Sequence, residues 1–207
     1  MITEEKLSLL RAQVESRLSA RRFAHTLGVE RAAREIGVHC LPDKIAELSA
    51  AALLHDVAKE LSCDEQLALM RNSGIDFSDE DYVSEALYHA FVAPDVVRSE
   101  FSDFATDEIL SAVFSHTSGG ANMSVFDEII FLADFVEDGR EYASCRDVRK
   151  QLFDRLEATR DTTQKLQVLH NHVLLVIDFT INYLEEKGRN VNKRMFLARN
   201  AIASKLL

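Results

Sequence analysis

An all-α, single-domain fold is what this chain predicts, and three observations predict it. Apolar residues recur at i, i+3, i+4 and i+7 in one stretch after another, with no strand-like alternation. Only two prolines (Pro42, Pro94) and seven glycines interrupt the 207 residues. A chain of this length buries one substantial core and is short for two. Residues 1–207 therefore read as one bundle of roughly eight to eleven helices.

The elements follow in order. Leu7, Leu9, Leu10, Val14 and Leu18 make an amphipathic helix over 3–17. Ser16 or Ser19 can cap a second helix over 20–37, with Phe23, Leu27, Val29, Ala32, Ala33 and Ile36 inward and Gly37 as its stop. Pro42 and Asp43 suit the first turn of a central helix that runs to about Lys59. Ser62 and Glu65 form a capping box for 63–72, closed near Gly74. Ser78 and Asp81 repeat that signature for 79–88, ending near His89, and Pro94 opens a separate short helix. Thr106 caps 107–116, where Ile109, Ala112, Val113 and His116 share a face, before the Gly119-Gly120 break. Ser124 caps an apolar helix over 125–137. Ser144 to Leu156, Asp161 to Lys187 (ended by Gly188) and a final helix after Arg194 complete the chain.

Charge and cysteine content narrow the function. A net charge of −10 argues against a nucleic-acid backbone as partner. A small polyphosphate stays compatible, because bound cations can invert a local field. No 18-residue apolar run predicts a membrane span. The start, MITEEKLSLL, carries acids where a signal peptide needs bases. Cys40, Cys63 and Cys145 are odd in number and widely spaced, which reads as reduced thiols of a cytoplasmic protein.

The chemistry centres on Leu53-Leu54-His55-Asp56-Val57-Ala58-Lys59. Neighbouring helical residues point about 100° apart, so His55 and Asp56 converge on one ion only from a helix end or with outside help. An aspartate flanked by Leu54 and Val57 needs a partner, since isolated buried charge is costly. His25, His89, His116 and Asp134 lie in similarly apolar surroundings. Together they offer the imidazole nitrogens and carboxylate oxygens that divalent metals take. His25, His55, Asp56 and Asp134 would hold a first ion. His89 and His116 would hold a second bridged by Asp56, or a substrate phosphate. Taken singly each has a plainer reading, His25 as a core histidine and Asp134 as a buried cap or ion-pair member. His170 and His172, at i and i+2, do not share a helix face and read as a surface pair. His39 reads as structural.

Several stretches resemble the HD-domain superfamily of metal-dependent phosphohydrolases. They are RFAHTLGVERAAREIG (22–37), LLHDVAKEL (53–61), YHAFVA (88–93), residues 109–140 and the terminal ARN (198–200). Within that superfamily the chain is similar to the YqeK family of symmetrical bis(5′-nucleosyl)-tetraphosphatases. The likeness is close over about 20–145, the expected metal-site core, and looser over 146–207, expected to pack on it. It implies iron-type metal held by His25, His55, Asp56 and Asp134, one or two ions in all. It implies Asp56 and Lys59 as catalytic, and contacts to substrate from His25, Lys59, His89, His116 and Arg140. The implied reaction is hydrolysis of diadenosine tetraphosphate to two ADP. Another nucleotide phosphohydrolase of the superfamily, such as a nucleoside monophosphate phosphatase, or a nucleotide sensor without turnover, are the competing readings. The expected partner is a small nucleotide, with neither nucleic acid nor membrane, and a homodimer stays open. One departure stands out: Asn192-Lys193-Arg194-Met195 occupies the place of the family's usual His-Pro-x-Thr.

Overall fold

The computed structural model describes residues 2–73 and 84–207. Those residues form ten α-helices and no strand. They are α1 (Glu4–Arg17), α2 (Ala20–Cys40), α3 (Ile45–Leu54), α4 (Cys63–Asn72) and α5 (Glu85–Glu100). After them come α6 (Asp107–Ser115), α7 (Val125–Val136), α8 (Ala143–Ala158), α9 (Thr162–Glu186) and α10 (Lys193–Ser204). No described helix is long and apolar enough to cross a membrane.

The helix α3 is the hub. It is apolar on all sides, and every residue from Leu48 to Leu54 is buried. Ala50, Ala51 and Ala52 keep it thin, so α1, α2, α6 and α7 all pack against it. In turn α7 packs on α2, α6, α8 and α9, while α10 leans on α9. Burying a leucine such as Leu53 or Leu54 contributes ~1.5–3 kcal/mol each, and both are fully buried.

Most starts follow the capping residues. Ser19, Ser62, Thr106, Ser124 and Asp161 each accept a backbone N–H as N-caps, and Ser62 with Glu65 closes a full capping box. Gly188 ends α9 with a φ of +62°, a left-handed conformation glycine adopts without strain.

Three boundaries differ from expectation. Gly37 does not stop α2, which runs on to Cys40. A Cβ there would lie 2.5 Å from Leu48 Cδ1, so the glycine serves close packing of α2 on α3. The central helix ends at Leu54 rather than near Lys59, and its Pro42–Lys44 start is 3-10. Residues 55–60 tighten into turns through Val57 N–H to Leu54 O and Lys59 N–H to Asp56 O. Pro94 opens no new helix, because α5 runs through it from Glu85 to Glu100. Burial of Phe91, Val92, Val96 and Val97 on both sides holds one helix where propensity favours a break. The expected N-terminal portion of a 79–88 helix lies outside the described residues.

Candidate metal centre

Five helices deliver six side chains to one point. His55 stands at the C-cap of α3 and His116 at that of α6. Because α3 unwinds at this point, His55 and Asp56 can face the same space from a helix end. His25 comes from the second turn of α2, His89 from α5 and Asp134 from the last turn of α7. His55, Asp56, His89 and His116 are all buried.

Asp56 sits between two sets of imidazoles. Its Oδ2 lies 3.5 Å from His55 Nε2 and 3.8 Å from His25 Nε2. Its Oδ1 lies 3.3 Å from His89 Nε2 and 3.6 Å from His116 Nε2. Asp134 Oδ1 is 3.1 Å from His25 Nε2. Two groups with metal-ligand spacing result, His25–His55–Asp134 and Asp56–His89–His116, joined through Asp56.

The outer nitrogens fix how the inner ones point. His55 Nδ1 bonds Ala52 O at 2.6 Å and His116 Nδ1 bonds Val113 O at 2.7 Å. A carbonyl only accepts, so these Nδ1 atoms carry protons, and in the neutral ring it is Nε2 that holds the lone pair. His25 Nδ1 faces Glu137 Oε1 at 3.2 Å, the same arrangement with a carboxylate. His25 Nε2 and His55 Nε2 are buried and make no hydrogen bond among the described residues. His89 and His116 bring their Nε2 atoms within 3.2 Å of each other. Lone pairs converging from buried imidazoles on two carboxylates are what a divalent cation satisfies, and the residues fit one.

The two carboxylates make a field that favours positive charge at the cluster. Burial pushes the His55 imidazole down, yet Asp56 and Asp134 outweigh it and hold it above its ordinary value. Burial pushes Asp134 up, but Arg140 and its neighbours bring it far below the usual carboxylate range. Burial, with His116 and Lys59 nearby, holds His89 well below its ordinary value, in the neutral form a ligand needs. Burial also draws the Lys59 amine down.

The cations expected from the sequence are present, with duties the spacing did not show. Lys59 turns inward, its Nζ 3.1 Å from His89 Nδ1. Arg140 is committed to Asp134, donating Nε–H to its backbone oxygen at 2.6 Å and pairing Nη2 with Oδ1. Two residues were missed. Arg22 Nη1 donates to Asp56 Oδ2 at 2.7 Å, and its signal was its place one turn before His25. Glu137 holds His25, one turn after Asp134. Gly28 makes that approach feasible, since a Cβ there would fall 2.3 Å from Glu137 Oε2.

The surface reading of His170 and His172 is overturned, because both are buried. His170 Nδ1 lies 2.6 Å from Glu128 Oε2, and His172 Nδ1 bonds Val168 O at 2.7 Å. The long α9 is covered over more of its circumference than a two-face reading allows, so both positions find partners inside. His39 is half-buried and stands outside the cluster.

A cavity of about 470 Å³ opens from the cluster, lined by Arg22, Lys59, His89, His116, Asp134 and Arg140 on one side.

With this geometry in view, the kinships are informative. The HD domain family matches residues 22–159. A Bacillus subtilis protein named symmetrical bis(5′-nucleosyl)-tetraphosphatase is 30% identical over 93% of this chain and 95% of its own length. A Halalkalibacterium halodurans protein of the same name is 33% identical over 67% of this chain and 72% of its own. A crystal structure from Clostridium acetobutylicum, described as a predicted HD superfamily hydrolase involved in NAD metabolism, superposes with a TM-score of 0.81. It is 25% identical and covers 99% of each chain. The six converging side chains all fall inside the matched segment, and this chain belongs to the HD domain family, among the relatives named symmetrical bis(5′-nucleosyl)-tetraphosphatase.

Proposed function

We propose that the chain is a metal-dependent hydrolase that cuts diadenosine tetraphosphate between its two central phosphates, giving two ADP. The observation that carries this is a coincidence of two things. Relatives with that name align along nearly the whole chain. The same chain gathers six side chains of metal-ligand type, and four of them, Asp56, His89, His116 and Asp134, line a cavity rimmed by cations.

In this reading His25, His55, Asp56 and Asp134 hold one ion, and Asp56 reaches across to a second at His89 and His116 or to a phosphate there. The mixed imidazole and carboxylate donors suit iron among first-row metals. Bound there, the metal supplies a Lewis acid and an activated water.

The chain's own groups do the rest. Glu137, Ala52 and Val113 set which nitrogens face inward on His25, His55 and His116. Lys59, half-buried and close to His89, offers its amine hydrogens to phosphoryl oxygens on which charge grows. Arg22 and Arg140 orient Asp56 and Asp134 and add positive charge to the same wall. One water is consumed; its oxygen stays on one ADP, and the bridging oxygen leaves with the other. A cytoplasmic location belongs to this reading, supported by three cysteines that are all free thiols.

The test is product analysis. Metal-loaded protein incubated with diadenosine tetraphosphate should yield ADP as its only nucleotide product on chromatography. ATP together with AMP would overturn the symmetrical reaction. Phosphate release from a mononucleotide, with the dinucleotide untouched, would replace it with the monophosphatase reading.

A further inference from the structure

The cavity over the cluster is polar at one end and aromatic at the other. Its far wall is built by Phe131 and Phe135 of α7 and by Val176, Phe179 and Tyr183 of α9. Phe135 and Phe179 meet edge to face at 5.8 Å, and Phe179 and Tyr183 stay 41% and 45% exposed. Aromatic rings left partly open beside a charged pocket suit the flat face of a nucleobase. The helix α9 also starts after residue 159, where the match to the HD family ends. The α9 half of the base wall, with Phe179 and Tyr183, therefore lies outside the segment matched to the HD family, while the α7 half lies within it.

A second space meets the same cluster from the other side. It is a broader groove of about 1070 Å³ that reaches His25, carries Arg21 and Arg31, and is lined as well by the carboxylates of Glu60, Asp138 and Glu141. The cavity and the groove share Arg22, Arg140 and Tyr142 as their common border. Arg21 is exposed and makes no ion pair with the described residues, unlike Arg22 and Arg31. A centrally cleaved dinucleotide has two nucleoside arms leading away from the reacting phosphates. Small-molecule sites run to about 300–1,000 Å³, so a cavity of about 470 Å³ has room for one arm and leaves the other outside.

We propose that the two identical arms bind in unlike subsites on either side of Arg22 and Arg140. One nucleoside diphosphate arm enters the cavity with its base on Phe179 and Tyr183. The other lies in the groove, its phosphates against Arg21. This rests on the dinucleotide reading above and adds an asymmetry to it.

The experiment uses the metal-loaded full chain, reading KM for diadenosine tetraphosphate and the calorimetric Kd for ADP, which fills the cavity first. Phe179→Ala should raise both by about tenfold, and Tyr183→Ala serves as the second variant should the first fold poorly. Arg21→Ala, on an exposed helix face, should raise KM for the dinucleotide about fivefold and leave ADP binding unchanged. Equal effects of Arg21→Ala on both constants, or none on either, would overturn the groove arm. Unchanged ADP binding in both aromatic variants would overturn the base wall. Turnover by the unaltered chain is scored separately: its absence would overturn the substrate reading, and the two-arm assignment with it.

Discussion

Two buried histidine–carboxylate clusters are anchored on α7, and they differ in what happens to their lone pairs. Near its start, Glu128 is fully enclosed and wholly paired. One carboxylate oxygen lies 2.6 Å from His170 Nδ1, and the other accepts from Lys205 Nζ at 2.6 Å. Lys205 also donates to Met123 O, so the final residues are tied to the helix that also holds Asp134. Near the other end of α7, His25 and His55 leave their Nε2 atoms without a hydrogen bond among the described residues, and two further imidazoles point nitrogens at each other. Residue type and burial are alike in the two clusters. The difference teaches that a buried polar cluster which satisfies itself is architecture, while one whose acceptors converge is waiting for a cation.

The largest effect that would sharpen this contrast is expected at Asp56, which touches all four cluster histidines. Asp56→Ala should cut turnover by more than about a hundredfold, beyond what the loss of an outer-shell partner costs. Elemental analysis should show the metal content fall with it. Metal content equal to that of the unaltered protein would break the comparison, since the converging nitrogens would then be packing and not ligation.

The complementary change is Glu128→Ala. It strands His170 and leaves Lys205 to seek solvent, so chemical denaturation should show a loss of about 3 kcal/mol, typical of breaking a buried ion pair. Metal content and the kcat of the folded fraction should stay as they were. A fall in metal content at constant stability would show that the two ends of α7 are one site.

How far the sequence reveals all this depends on how local each determinant is. Caps such as Ser62 and Ser124 act within four residues, and the helices they start were legible. The six cluster residues were legible because each sits in a short motif with apolar neighbours, and the order of the motifs is specific. Arg22 and Glu137 were not, because each acts across helices, on Asp56 34 residues away and on His25 112 residues away. The aromatic wall was hidden for the same reason, as Phe179 and Tyr183 look like any apolar stripe until α9 is laid against α7. His170 and His172 failed differently. Periodicity shows which residues share a face, but not how many faces of a 25-residue helix are covered. Pro94 failed because propensity is a weak prior against a fully buried flank.

The smallest effect is read through pH rather than through mutation cost. His172 is a buried histidine outside both clusters, with Nδ1 bonded to Val168 O and no carboxylate among its bonded partners. Burial, partly offset by that backbone bond, lowers its imidazole below its ordinary value. The folded chain thus resists a proton there that the unfolded chain accepts at about pH 6.5. Stability from this group is whole above that pH and drains as pH falls below it, because protonation then favours the unfolded state. His172→Phe removes the titrating group while keeping an apolar ring in place. Denaturation midpoints of the metal-free protein, measured from pH 7.5 down to 5, should decline less steeply in His172→Phe than in the unaltered chain. Working without metal keeps ligand protonation at His25, His55, His89 and His116 common to both proteins. Parallel curves would mean that His172 reaches water in the folded state, and its enclosure would be wrong.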